Sequence, residues 1–384
     1  MNEKIPINLD ILKWARISIG YSLEEVAHKI GKKFKSETIQ SWENGDSFPT
    51  YIQLEQLAHN VYKRPIAVFF FPDVPKEESI KTDFRSLPEL ITDKLQPQII
   101  KLYRKAKVFQ FYLEDLYENE KPVNVSILDL VRTDSGYEFP EIINRIRGLL
   151  DISVDIQSTW RSTKVAFKEW RKALENKGIF IFKDSFRIDQ YSGFCLYHDR
   201  YPIIYVNNSF PNSRQIFTLF HELAHLLYQQ GGVYFRDDTI ARSFQGRYSE
   251  IEVFCNRFSN ELLVPPEIFN SFKLEISENQ FEKLAQYFSV SREVILRNYL
   301  DRGLVDSEYY EKMVSKWSEQ AEIRKETSGG SYYLNQKAYL GDNYVDLVFS
   351  KYYQNKISIE NVADYLYIKI KNIPTFELEL KERS

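Results

Sequence analysis

The segment His221-Glu222-Leu223-Ala224-His225 constrains this chain more than any other. Phe217, Phe220, Ala224 and Leu227 recur around it at helical intervals, so residues 215–228 are expected to form a helix with one apolar stripe. On a helix, residues i and i+4 lie on one face, a turn apart. His221 and His225 therefore present two imidazoles to the same side, where both can reach a single zinc ion. Glu222 follows the first histidine directly. There it would face a water on the ion rather than the ion itself, placed to take its proton. The plainer alternative is two core-edge histidines on an amphipathic helix. Against it, the chain has only five histidines, and two of them flank a glutamate at this spacing.

The segments before this helix set the fold class. Gly178-Ile179-Phe180-Ile181-Phe182, Gly193 to Tyr197 and Ile203-Ile204-Tyr205-Val206 are β-like runs, so three short strands should lead into the histidine helix. Most of the rest has helical periodicity: residues 8–62, 97–117, 162–176, 281–288 and 292–300. Residues 121–160 are helical and mixed, without clear boundaries. Ser328-Gly329-Gly330-Ser331 marks a break before a small helical tail. The expected class is α+β, mostly α. At 384 residues the chain has room for two or three domains. Their expected bounds are 1–72 for an N-terminal helical bundle and 73–150 for a helical connector. A domain with a small three-stranded sheet should follow at 151–270, and a helical C-terminal region at 271–384.

Composition narrows the function classes. Apolar residues make up 43 %, with 27 Phe and 26 Tyr, which excludes global disorder. A net charge of −3 gives no general pull towards nucleic acid or anionic membranes. Cys195 and Cys255 are the only cysteines, so neither a disulfide framework nor a Cys-rich zinc module is possible. Both fall on apolar runs and are read as buried, inert thiols in a reducing compartment rather than as ligands or redox switches. The N-terminus lacks the apolar core of a signal peptide. The run Ile66 to Phe71, closed by Pro65 and Pro72, is far too short to span a bilayer. The expectation is a soluble cytoplasmic protein that does not enter a membrane.

A catalytic zinc site needs a third protein ligand and one open position. Asp237, Asp238, Glu250, Glu252 and Glu261 are the downstream candidates. Residues 251–263 read as a helix with Ile251, Cys255, Phe258 and Leu262 on one stripe, and Glu252 lies beside that stripe near its start. Glu250 and Glu261 point further round. With Ser249, however, Glu252 also has the S-x-x-E form of a capping box, so spacing alone leaves ligand and cap both open. Tyr228, Arg214 and His198 are candidate donors to a developing oxyanion, and nothing in the sequence chooses among them.

The stretch from Phe217 to Leu227, followed by Glu252-x-x-Cys255-Asn256-x-Phe258-Ser259-x-Glu261-Leu262-Leu263-Val264-Pro265, resembles the ImmA/IrrE family of metallopeptidases. Their pattern is H-E-x-x-H, then E-x-x-A-N-x-F-A-x-E-L-L-M-P. The departures are Cys255 and Ser259 for alanines and Val264 for methionine. The resemblance implies a zincin-like fold, with Glu252 as third ligand of a Zn²⁺ held by His221 and His225. It also implies cleavage of a peptide bond in a protein substrate such as a repressor or antitoxin, with Glu222 as base.

Near the N-terminus, Leu12, Ala15 and Ile19, then Leu23, Val26, Ala27 and Ile30, mark two helices separated by Gly20. Ser22-Leu23-Glu24-Glu25 has the capping-box form. A basic loop, Lys32-Lys33-Phe34-Lys35, leads into a short helix from Ser36 that Gly45 stops, and residues 50–61 read as a fourth helix. This order suits a helix-turn-helix unit. Lys32, Lys33 and Lys35 would meet phosphates, and Ser36, Thr38, Gln40 and Ser41 would reach base edges. Yet residues 1–75 carry nine Lys or Arg and nine Asp or Glu, without the basic excess of a dedicated DNA binder. Partner docking therefore stands beside DNA binding. The segment also resembles the Cro/repressor-like (XRE) domains fused to ImmA/IrrE peptidases, in Leu12 to Arg16, Trp42-Glu43-Asn44-Gly45, Pro49-Thr50, Leu54 and Pro65 to Phe70. Asp83-Phe84-Arg85-Ser86-Leu87-Pro88 looks like the linker of those fusions. That resemblance implies a transcriptional regulator with operator DNA and a protein substrate as partners, and allows a homodimer. The rival reading is a DNA-binding regulator or antitoxin whose zinc site is structural or sensory.

Overall fold

Helix caps written into the sequence define the N-terminal elements. The computed structural model describes residues 5, 7–75, 95–122, 127–130, 138–228, 232–235, 247–323 and 332–381. The linker motif at 83–88, the break at 328–331 and the candidate ligands Asp237 and Asp238 lie outside them. The chain forms two compact units, residues 1–82 with 89–105, and residues 83–88 with 106–384. Among the described residues, no helix is long and apolar enough to cross a membrane.

In the first unit, α1 (Leu9–Ser18) starts at Asn8, whose side chain accepts from the Asp10 and Ile11 amides. The capping box starts α2 (Leu23–Ile30): the Ser22 hydroxyl accepts from the Glu25 amide, and the Glu25 carboxylate accepts from the Ser22 amide at 2.8 Å. The next helix, α3 (Ser36–Asn44), buries Ile39 and Trp42 and ends at Gly45. Gly45 has φ 81°, and a Cβ there would lie 2.8 Å from Leu9 Cδ1. Thr50 caps α4 (Tyr51–Glu55). The fourth helix then differs from the expected plain α-helix, because Gln56–Tyr62 widens into π-turns. The wider winding lets Leu57, Ala58, Val61 and Tyr62 all face the core. A two-pronged ion pair ties α1 to α3, with Arg16 Nε to Glu43 Oε1 at 2.7 Å and a second bond at 2.8 Å.

The helix α5 (Pro97–Leu116) contributes to both units. Residues 121–160, illegible in sequence, contain a short turn at 127–130, then α6 (Phe139–Leu149) and α7 (Val154–Trp160). After α8 (Thr163–Glu175) come β1 (Phe180–Asp184), β2 (Tyr191–Leu196) and β3 (Ile203–Asn207). The histidine helix α9 (Asn212–Leu227) follows, then β4 (Gly232–Phe235) and α10 (Arg247–Leu263). The protein is α+β, mostly α, and it has the three strands expected plus β4. Strand order is β1-β3-β2-β4, with β1 parallel to β3 and the other pairs antiparallel.

Both faces of the sheet are covered, which is why β2 and β3 are buried throughout. Ile181, Cys195, Ile204 and Val206 alternate onto one face, against Ile216, Leu219, Phe220 and Leu223 of α9. Onto the other face go the aromatics. Phe109 of α5 stacks on Phe182 at 4.0 Å, Tyr344 meets Phe182 edge-on at 5.1 Å, and Phe194 stacks on Tyr205 at 5.1 Å. The C-terminal segment thus supplies part of the cover for the sheet. The helices at 278–288 and 292–301, with Trp317, instead belong to the core on the α9 side.

Candidate metal centre

The site is built where α9 and α10 pack against each other. Gly193 on β2 lets α9 lie close to the sheet: a Cβ there would be 2.5 Å from Thr218 Cγ2 and 2.9 Å from the Tyr205 carbonyl oxygen. The same point is 3.8 Å from Glu222 Oε1, an ordinary contact distance, which places that carboxylate beside β2. The C-terminal end of α10 is held by two buried side chains. Arg147 donates to the Leu262 carbonyl at 2.6 Å, and Gln157 donates to the Leu263 carbonyl at 2.9 Å and the Phe288 carbonyl at 2.6 Å. These bonds satisfy carbonyls that a helix end leaves orphaned. The unplaced segment 121–160 therefore contributes the supports of α10.

His221, Glu222 and His225 are wholly buried, and Glu252 is 3 % exposed. The two Nε2 atoms are 3.2 Å apart. Glu252 Oε2 is 3.3 Å from His221 Nε2, and Oε1 is 3.2 Å from His225 Nε2. The structure therefore brings His221, His225 and Glu252 together at one point. Glu250 is exposed, and Glu261 pairs with Arg257 at 2.7 Å. The capping reading of Glu252 does not hold in the fold: α10 begins at Arg247, a turn earlier than expected, so Ser249 lies inside the helix.

Electrostatics bind the group together. Burial alone would push the Glu252 carboxyl up, but the charge of His225 and hydrogen bonds from both imidazoles outweigh it and hold the carboxyl well below its usual range. Burial would likewise lower His225, yet the neighbouring Cys255 and Glu252 raise it well above a free imidazole. Two imidazoles and a carboxylate, desolvated and aimed at each other, match the donor set of a zinc or similar transition-metal site.

Cys255 is fully buried, as expected, and it lies near both imidazoles. Its Sγ and one nitrogen each of His221 and His225 lie within 4.8 Å of one another, a group that could hold a metal ion. It also hydrogen-bonds His225. Burial pushes the thiol up to about 11. The sequence signal was its i+3 spacing from Glu252, which places both on one face of α10. Cys195 packs into the core beneath α9, as expected.

Two of the three candidate oxyanion donors have polar partners outside the cluster. Arg214 Nε donates to the Ser192 hydroxyl at 3.2 Å, and His198 Nε2 faces Glu114 at 3.3 Å while its Nδ1 accepts from the Arg200 and Tyr201 amides. Tyr228, the C-cap of α9, meets Phe254 edge-on at 4.9 Å. In the first unit, Lys32, Lys33, Lys35 and Gln40 are exposed, while Ser36, Thr38 and Ser41 are half-buried. Ser41 spends its hydroxyl on Ser47 at 2.7 Å.

Residues 174–299 match a peptidase family, described as the IrrE N-terminal-like domain. The match runs from the end of α8 through the sheet and both helices that carry the cluster. No curated protein matches the chain.

Proposed function

We propose that the chain is a zinc-dependent endopeptidase, with the ion on His221, His225 and Glu252 and with Glu222 as general base. The observation that carries this reading is the convergence of the three donors at 3.2–3.3 Å in a buried site, inside a segment that matches a peptidase family. Zinc, when bound, supplies Lewis acidity towards the scissile carbonyl and the attacking water. Glu222 takes the proton of that water and later passes it to the leaving amine. Its position one residue after His221 holds the carboxylate beside the ion rather than on it. Gly193 lets α9, which carries Glu222, lie close against β2. Arg147 and Gln157 fix α10 and with it the Glu252 carboxylate.

The substrate is a regulatory protein of the repressor or antitoxin kind, and the first unit is a helix-turn-helix that directs the chain to operator DNA or to a partner. Exposed Lys32, Lys33 and Lys35 before and at the start of α3 support this, and Gln40 is the exposed polar residue suited to base edges. The two buried free thiols suit a reducing compartment, and we place the activity in the cytoplasm. A second reading, a regulator with a non-catalytic zinc site, is favoured by one observation: Cys255 forms with His221 and His225 a group that could hold a metal ion, and a thiolate added to the ligand set would close the site.

The test is capture with the Glu222→Gln variant. The variant is expected to retain zinc and to co-purify with an uncleaved protein that the wild type cuts. Identical regulation by wild type and variant in cells would remove catalysis from the account.

A further inference from the structure

Glu252 and Cys255 are three residues apart on α10 and share one face of the helix. Glu252 meets both imidazoles at 3.2–3.3 Å. About one turn on, the Cys255 sulfur and a nitrogen of each imidazole lie within 4.8 Å of one another, all fully buried. A packing role alone needs no donor atom here; the motif that this helix resembles has alanine at the position. Thiolate is a common zinc ligand beside imidazole.

We propose that Cys255 is a fourth, displaceable ligand of the metal held by His221, His225 and Glu252. The proposal rests on the metal reading of the same cluster. As thiolate, Cys255 occupies the position that the attacking water requires, so the site rests closed. When sulfur joins the ion, its S–H bond breaks, the proton passes to solvent and a water leaves. Opening reverses each of these, and nothing is oxidised or reduced. In the closed form the site is latent, and the Cys255 sulfur must leave the ion before a water can take its place.

Cobalt(II) substitution of the full chain tests this without an activity assay. Wild type, Cys255→Ala and Cys255→Ser are loaded with one equivalent of cobalt and read by absorption. The wild type is expected to show a near-ultraviolet thiolate-to-cobalt charge-transfer band. Both variants should bind cobalt and lose that band, with metal affinity at least about tenfold weaker. Acetohydroxamate added to the wild type should bleach the band as it displaces sulfur. Cobalt bound by the wild type without the band overturns the Cys255 ligand and leaves the three-donor site standing. A band that survives in Cys255→Ala overturns it too, because Cys195 would then be the source. A band that resists hydroxamate overturns displacement. Failure of the wild type to bind cobalt at all overturns both the ligand and the metal reading.

Discussion

Gly193 and Thr218 face each other so closely that a methyl group on the glycine would lie 2.5 Å from the threonine Cγ2. The strand β2 and the histidine helix α9 are spaced by this pair. A Cβ at Gly193 would also lie 2.9 Å from the Tyr205 carbonyl oxygen, which belongs to the β3 backbone and cannot swing aside.

Gly193→Ala is therefore expected to destabilise the fold by about 1–3 kcal/mol through overpacking. It should also weaken metal binding, because the helix must shift and carries both imidazoles. Adding Thr218→Ser removes the nearer clash and should recover part of the loss, with the carbonyl clash remaining. Denaturant unfolding of the single and double variants measures this. Equal stability of Gly193→Ala and wild type would contradict the spacing argument.

Lys183 is 8 % exposed on β1, with its ammonium 4.4 Å from the Phe167 ring centre. Burial first, then the charge of Arg171, pushes it down to about 7. In the unfolded chain a lysine titrates near its ordinary value of about 10.4. Between those two pH values the unfolded state binds more protons, so this residue's contribution to stability rises with pH. Below about pH 7 its penalty is fully present. Lys183→Met should therefore stabilise the protein by about 1–3 kcal/mol at pH 6, where the charged form is desolvated, and by less at pH 9. Unfolding at both pH values decides it; a gain that grows with pH would contradict the account.

In the first unit, Glu43 holds Arg16 by two hydrogen bonds at 2.7 and 2.8 Å, and the Glu43 side chain is only 5 % exposed. Glu43→Ala leaves a partly buried guanidinium without its carboxylate and should cost about 1–3 kcal/mol. The double variant with Arg16→Met should recover much of this. Denaturant unfolding measures this, and an unchanged midpoint in Glu43→Ala would show that the pair is idle.

The site was legible in part, for physical reasons. His221 and His225 were readable because i+4 spacing is local geometry, and Ser22 and Gly45 because caps are local too. Glu252 was not fixed by spacing, because which residues of α10 face α9 depends on how the two helices pack. The same non-local packing concealed Cys255: its place on an apolar stripe looked like core, and core is where it is, but the core there includes the imidazoles. The strand β4 has four residues and begins at a glycine, too short to register as a β run. Segment 121–160 was obscure because its key groups, Arg147 and Gln157, are polar side chains whose hydrogen-bond partners lie more than a hundred residues away.

Two buried acids stand at the cluster, and the account assigns them opposite duties: Glu252 holds the metal, Glu222 moves the proton. The most direct test is zinc content and affinity of Glu252→Ala and Glu222→Gln, measured against wild type by competition with a chromophoric chelator. The predicted result is one zinc per chain in wild type and Glu222→Gln, with affinity in Glu252→Ala lower by at least about tenfold. Equal zinc affinity in Glu252→Ala and wild type would contradict the three-donor site.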